Sequence, residues 1–238
     1  MNRLAGSIVL LSGGKRSLAA ALAGAFAVLV QAPFDFVLAG FISFPVLVWL
    51  LDGAVPSVSA GPLGRLKPAF AVGWWFGFGY FVAGLYWIGN AFLVDADTFA
   101  WLLPLAILGL PALLALFMAA GCALARTIWT RDWSRLLSLA VALTVSEWLR
   151  GHILSGFPWN LFGYALAEPL AMAQAASLIG IWGMSFLAIA IFASPATLID
   201  DRARTKRPWL PFALSLVLLA ASGGYGAWRL DRHPTQFV

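Results

Sequence analysis

Apolar residues run along this chain in seven long stretches, roughly 18–32, 34–51, 69–93, 99–125, 134–150, 170–199 and 209–228. About 20 apolar residues in a helix cross the hydrocarbon core of a bilayer, and about 17 suffice. The third, fourth, sixth and seventh stretches meet that length easily. The first is short at its Pro33 end, so the first two are expected to pair as a tight helical hairpin. The stretches are too long for strands and lack the strict apolar–polar alternation of a membrane barrel. The pattern therefore predicts an all-α, polytopic transmembrane bundle of about seven spans.

Composition strengthens this picture. Of 238 residues, 62% are hydrophobic and only 11% charged, with a mean hydropathy of +0.89. A soluble domain carries about 25% charged residues. The net charge of +5 would suggest a nucleic-acid partner, but the basic residues lie in the gaps between apolar stretches, where topology signals belong. With a cytoplasmic N-terminus, Arg3, Lys15, Arg16, Arg65, Lys67, Arg126, Arg131, Arg135, Arg202, Arg204, Lys206 and Arg207 fall inside. Of the fifteen basic residues, that leaves Arg150, Arg229 and Arg232 outside. An odd number of spans then carries the C-terminus to the far face. The first 32 residues do not read as a cleaved signal peptide, because Lys15 and Arg16 come late and no small-x-small site precedes a polar start. One cysteine, Cys122, excludes an intramolecular disulfide framework. It has no neighbouring base to activate it and reads as a small helix residue. His152 and His233 have no metal-ligand spacing, so no metal is expected.

Two regions carry candidate chemistry. In "AVGWWFGFGYFVAGLYWIGNAF" (71–92), a rotation of about 100° per residue puts Gly73, Gly77, Tyr80, Gly84 and Trp87 on one face. The glycines suit either close helix packing or a groove for an acyl chain. Asn90 ends this region, where its amide could hold an ester or headgroup oxygen. The second region is "SEWLRGHILSGFPWNLFGYAL" (146–166). Glu147 and Arg150 are three apart and can pair on one helix face, beside Trp148, as an anchor or as part of a headgroup site. Pro158 forbids a regular helical bond in the next turn. Backbone groups freed at membrane depth need protein or water as partners. The stretch 151–165 is thus expected to be an ordered loop whose Phe157, Pro158, Trp159, Asn160 and Tyr164 form a defined surface. Behind it, Gln174 is a hydrogen-bonding group early in the sixth stretch, and Ser185 is expected to bond back into its own helix.

These residues carry a resemblance. "EWLRGHILSGFPWNLFGYAL", "AQAASLIGIWGMSF" and "GFGYFVAGLYWIGNAF" resemble the membrane half of bacterial apolipoprotein N-acyltransferases, over essentially the whole chain. One departure is Leu166, where many members have Gln; Gln174 is the candidate substitute. The resemblance implies a multi-pass protein of the bacterial inner membrane. It implies a phospholipid acyl donor, a diacylglyceryl apolipoprotein acceptor, and no cofactor. It also implies a periplasmic nitrilase-like domain whose Glu-Lys-Cys triad forms the acyl-thioester. Residues 1–228 are then the transmembrane domain, and "RLDRHPTQFV" (229–238) begins a linker to that catalytic domain. The triad is absent from this chain, which is expected to be inactive alone. A free-standing lipid-binding or scaffold subunit for a separate acyltransferase is the alternative. A transporter is disfavoured, because no span carries a charge at its centre.

Overall fold

The computed structural model describes residues 3–200 and 206–233, and among these there is no strand. The described residues form ten α-helices: α1 (Arg3–Val9), α2 (Gly13–Ala27), α3 (Gly40–Asp52), α4 (Lys67–Leu85), the single turn α5 (Ala96–Phe99), α6 (Leu110–Thr127), α7 (Arg135–His152), the single turn α8 (Leu170–Ala173), α9 (Ala176–Ala193) and α10 (Leu210–Arg232). Tight 3-10 turns extend several of them, over Val28–Val30, Val37–Ala39, Tyr86–Leu93 and Ser194–Ile199. The seven apolar stretches match the seven longer helices, while the N-terminal turn α1 had no counterpart in the hydropathy pattern. Among the described residues, five helical segments are long and apolar enough to cross a membrane: Gly13–Val30, Lys67–Leu93, Ala96–Thr127, Ala176–Ile199 and Leu210–Arg232. The apolar segment Val37–Asp52 is shorter, about 24 Å of helix at 1.5 Å per residue. Helix α7 has 18 residues but carries Arg135, Glu147 and Arg150.

The sixth stretch is not one continuous helix. It breaks after α8, and inside α9 Gly180 takes φ 66°, ψ 178°, a conformation open essentially to glycine alone. Hydropathy is blind to this break because every residue around it is apolar.

Six helices close into a ring through successive contacts: α2 on α4, α4 on α6, α6 on α7, α7 on α9, α9 on α3, and α3 back on α2. Glycine makes the tightest of these contacts. A Cβ on Gly79 would sit 2.0 Å from Ala21 O, and one on Gly24 would sit 1.9 Å from Phe76 O, so α2 and α4 touch backbone to backbone. Gly73 and Gly77 do the same against Met118, Ala119 and Ala115 of α6. The ring's interior is aromatic, with Phe44, Phe76, Tyr80, Phe162 and Phe192 all buried. Helix α10 stands outside the ring, held by α8 and the 194–199 turn, and only Ser215 and Gly226 are buried along it.

Candidate functional site

The loop 153–164 enters one end of the ring. Helix α7 stops because Ile153 turns extended, and Pro158 prevents the chain from resuming a helix. Gly156 sits at φ 73°, where a Cβ would meet Gly151 O at 2.5 Å; glycine is required there on both counts. Phe157 N–H then returns to Arg150 O at 2.8 Å. Past the turn, Phe162 drives into the core, edge-on to Phe44 and tilted against Tyr80, with both centroids at 4.9 Å.

A backbone inserted into an apolar ring needs partners for its polar groups. Five side chains, from α4, α7, α9 and the turn at residue 31, supply them. Arg150 Nη1 donates to Phe157 O at 2.6 Å and Trp159 O at 2.7 Å, and its guanidinium lies 5.0 Å from the centre of the Phe81 ring. Glu147 Oε1 accepts from Phe162 N–H at 3.0 Å and faces Arg150 Nη2 at 3.8 Å. Tyr80 donates its hydroxyl to Asn160 O at 3.0 Å. Gln31 Nε2 donates to Tyr80 Oη at 2.9 Å and Leu161 O at 3.0 Å. On the other side, Ser185 Oγ accepts from Gly163 N–H at 3.1 Å. This corrects the expectation that Ser185 bonds within its own helix: it is fully buried where the loop crosses α9, and the loop N–H is the unmet demand.

With its backbone satisfied, the loop turns Pro158, Trp159, Asn160 and Tyr164 toward a cavity of about 660 Å³. Gly84, Trp87, the segment 31–35, Ala167 and Glu168 complete its lining. Trp87 and Trp159 face each other at 5.3 Å. The Asn160 amide would lie only 2.5 Å from a Cβ on Gly84, so that glycine makes room for it. Asp35 at φ 48° and Asn160 at φ 55° both hold left-handed backbone, which Asp and Asn tolerate best among non-glycine residues. The lining carries two carboxylates, Asp35 and Glu168, and neither Lys nor Arg.

The candidates read from sequence therefore divide. Gly84, Trp87, Pro158, Trp159, Asn160 and Tyr164 meet around the cavity. Phe157 packs half-buried against the core. Glu147 and Arg150 are 1% and 2% exposed and stand behind the wall, gripping the loop. Tyr80 is buried with them, while Gly73 and Gly77 serve the α4–α6 contact. Trp148 points away, stacked on His152 at 4.5 Å. Asn90 is exposed and lies outside the cavity lining. Gln174 accepts a hydrogen bond from Arg229 and lies outside the cavity lining. Cys122 is buried between α4 and α6, and no group of three metal-ligating side chains exists among the described residues. Sequence reading missed Gln31, Asp35 and Glu168. Gln31 had a usable signal, being a lone amide between two apolar stretches.

The fold and this site define a multi-helix membrane-type bundle whose one end is closed by a pinned aromatic loop. The family model for the apolipoprotein N-acyltransferase N-terminal domain matches residues 23–194. The chain is 58% identical, over all 238 of its residues, to an apolipoprotein N-acyltransferase of Rhodopseudomonas palustris, covering 44% of that protein. It is 56% identical over 98% of its length to the one of Brucella suis, covering 43% of it. It is also 56% identical over its whole length to the one of Bradyrhizobium diazoefficiens, covering 44%. The chain belongs to the apolipoprotein N-acyltransferase family, and it spans less than half the length of these relatives.

Proposed function

We propose that this chain is the membrane half of an acyltransferase that moves a fatty acyl group from a phospholipid to the α-amine of a diacylglyceryl-cysteine at a lipoprotein N-terminus. Its part is to hold lipid rather than to do chemistry: the thioester-forming Glu-Lys-Cys triad belongs to a nitrilase-like domain outside residues 1–238. The N-terminus is cytoplasmic and the 153–164 end of the bundle faces the periplasm of the inner membrane, with seven helices spanning. Residues 229–238 lead toward the catalytic domain on that face.

The observation that carries this reading is the loop's construction. Arg150, Glu147, Tyr80 and Gln31 spend their polar groups on loop backbone, so Trp159 and Tyr164 are held as a fixed wall, with Trp159 stacked on Trp87. An aromatic-walled cavity of this size, within the usual range for ligand sites of about 300–1,000 Å³, suits the glyceryl and proximal acyl part of a lipid. The lack of a basic side chain in its lining argues against Arg150 as a phosphate ligand. In the intact protein that carries this chain, Trp159→Ala is expected to lower lipoprotein N-acylation about tenfold or more while the protein still accumulates in the membrane, the loss of an aromatic stacking contact being about 1 kcal/mol beyond its buried area. Undiminished acylation would reduce the loop to a membrane anchor.

A further inference from the structure

The opposite end of the ring holds a second, larger cavity of about 1420 Å³. Helix α4 separates the two: Arg65 and Leu66 just before it line this one, and Ala83 and Gly84 at its far end line the other. Among the described residues its charged lining is three arginines, Arg65, Arg126 and Arg131, and three aspartates, Asp52, Asp132 and Asp200. The two sets are equal in number but not in availability.

The carboxylates are already engaged. Asp52 and Asp200 both face the fully buried Arg135, at 3.5 Å and 2.8 Å. Asp52 Oδ1 also accepts from Trp129 Nε1 at 2.9 Å. Asp132 Oδ1 accepts from the Ser134 hydroxyl at 2.7 Å and the Ser134 N–H at 2.9 Å, and these bonds hold its carboxyl below the ordinary range. Two of the arginines, Arg65 and Arg126, are far less committed. Arg65 spends only Nε, on Ala60 O at 3.3 Å. Arg126, in the last turn of α6, makes no hydrogen bond or ion pair among the described residues, and none of the pairings above involves it. The N-terminus of α4 opens beside Leu66, and its dipole adds positive potential at this mouth. Val55, Pro56 and Pro62 give the lining an apolar edge, and Val55 and Leu63, the latter next to Pro62 in the chain, are exposed.

We propose that this cavity binds the phosphate of a membrane phospholipid, gripped by Arg65 and Arg126, with the acyl chains lying over the Val55 and Leu63 rim. Arginine matches a phosphate's oxygens two at a time. The apolar rim is what selects a lipid over a soluble anion, since a free phosphate gains nothing from it. The bound lipid sits in the leaflet at the Arg-rich end of the bundle, away from the 153–164 loop, so the site is independent of the acyl-transfer reading.

The test is retention of dioleoyl phosphatidylglycerol by the intact protein in detergent, counted by native mass spectrometry across a lipid titration. The wild type is expected to hold one lipid at this cavity through delipidation, in addition to any lipid seated beside the 153–164 loop. Arg65→Gln with Arg126→Gln is expected to weaken that retention about tenfold or more, each basic residue near a membrane surface having a substantial share of the attraction. Arg126→Gln alone removes no intramolecular bond among the described residues, so it weakens retention without touching the melting temperature. Arg3→Gln with Lys15→Gln removes the same charge from the same end but outside the cavity, and leaves retention unchanged. Inorganic phosphate, added in excess, does not displace the lipid. The proposal is overturned if Arg126→Gln retains lipid as the wild type does. Equal loss in the Arg3/Lys15 pair overturns it too, as does complete displacement by inorganic phosphate, which would mark a soluble-anion site.

Discussion

Arg150 has Nη1 bonded to two loop carbonyls, while Nη2 and Glu147 Oε2 have no hydrogen-bond partner among the described residues. The two side chains form a buried ion pair that also serves as the loop's clamp. Removing one partner strands the other charge in an apolar ring. Arg150→Ala is therefore expected to destabilise the bundle by about 3–5 kcal/mol, read as a lowered melting temperature and loss of folded protein. Replacing both partners, Glu147→Leu with Arg150→Leu, is expected to cost less than the sum of the two single changes, because no lone charge remains although Phe157 O, Trp159 O and Phe162 N–H lose their partners. If the two single costs simply add, the pair is not acting as a buried couple. Tyr80→Phe deletes one hydroxyl that bridges Gln31 and Asn160 O, a loss of about 1–2 kcal/mol. It is expected to speed amide exchange across 160–163 while leaving α4 protected. Spacing alone made the Glu147–Arg150 pair legible, since residues three apart share a helix face. Its burial was not legible: at the end of an apolar stretch, a charged pair looks the same whether it meets water or a loop folded back over it. Gln31 was harder still, because its partner Leu161 lies 130 residues away.

At the scale of the helix, the glycines of α2 and α4 set how closely the ring can close. Gly79→Ala places a methyl 2.0 Å from Ala21 O, and backbone cannot yield as a side-chain tip can. The expected cost is about 1–3 kcal/mol or more, measured as a fall in thermal stability. Gly14, also in α2, has nothing within 4 Å of its missing Cβ. Gly14→Ala is expected to be neutral or to stabilise by up to about 1 kcal/mol through helix propensity. A similar effect at both positions would contradict backbone contact as the reason for Gly79. The existence of each long helix was readable from apolar length, and the face bearing Gly73, Gly77, Tyr80 and Gly84 from rotation per residue. That face splits by depth, however. Its first two glycines meet α6, and its last meets Asn160. Periodicity reports which way a residue points, not which neighbour has arrived there. For the same reason the break at Gly180 is not legible in the sequence, since a glycine within an apolar run signals packing as readily as a kink.

Across the whole molecule, the ring order α2–α4–α6–α7–α9–α3 is a tertiary fact that hydropathy does not contain, because every apolar helix is compatible with many neighbours. Charge placement does make a claim about sidedness. Val58 and Val94, both strongly exposed, flank α4 on its two sides. With Cys122 buried and silent as background, Val94→Cys is expected to react with a membrane-impermeant maleimide added outside spheroplasts. Val58→Cys is expected to react only after the membrane is opened. The reverse labelling would invert the proposed orientation. The cavity beside the loop bears the larger claim, that this half of the protein seats the lipid to be processed. Its most direct test is photocrosslinking of the intact protein with a phospholipid carrying a photoactivatable group near the glycerol, followed by peptide mapping. The account predicts adducts concentrated on 83–87, 158–168 and 31–35, and diminished by Trp159→Ala. Adducts spread along the exposed face of α10, with the cavity segments at background, would contradict it.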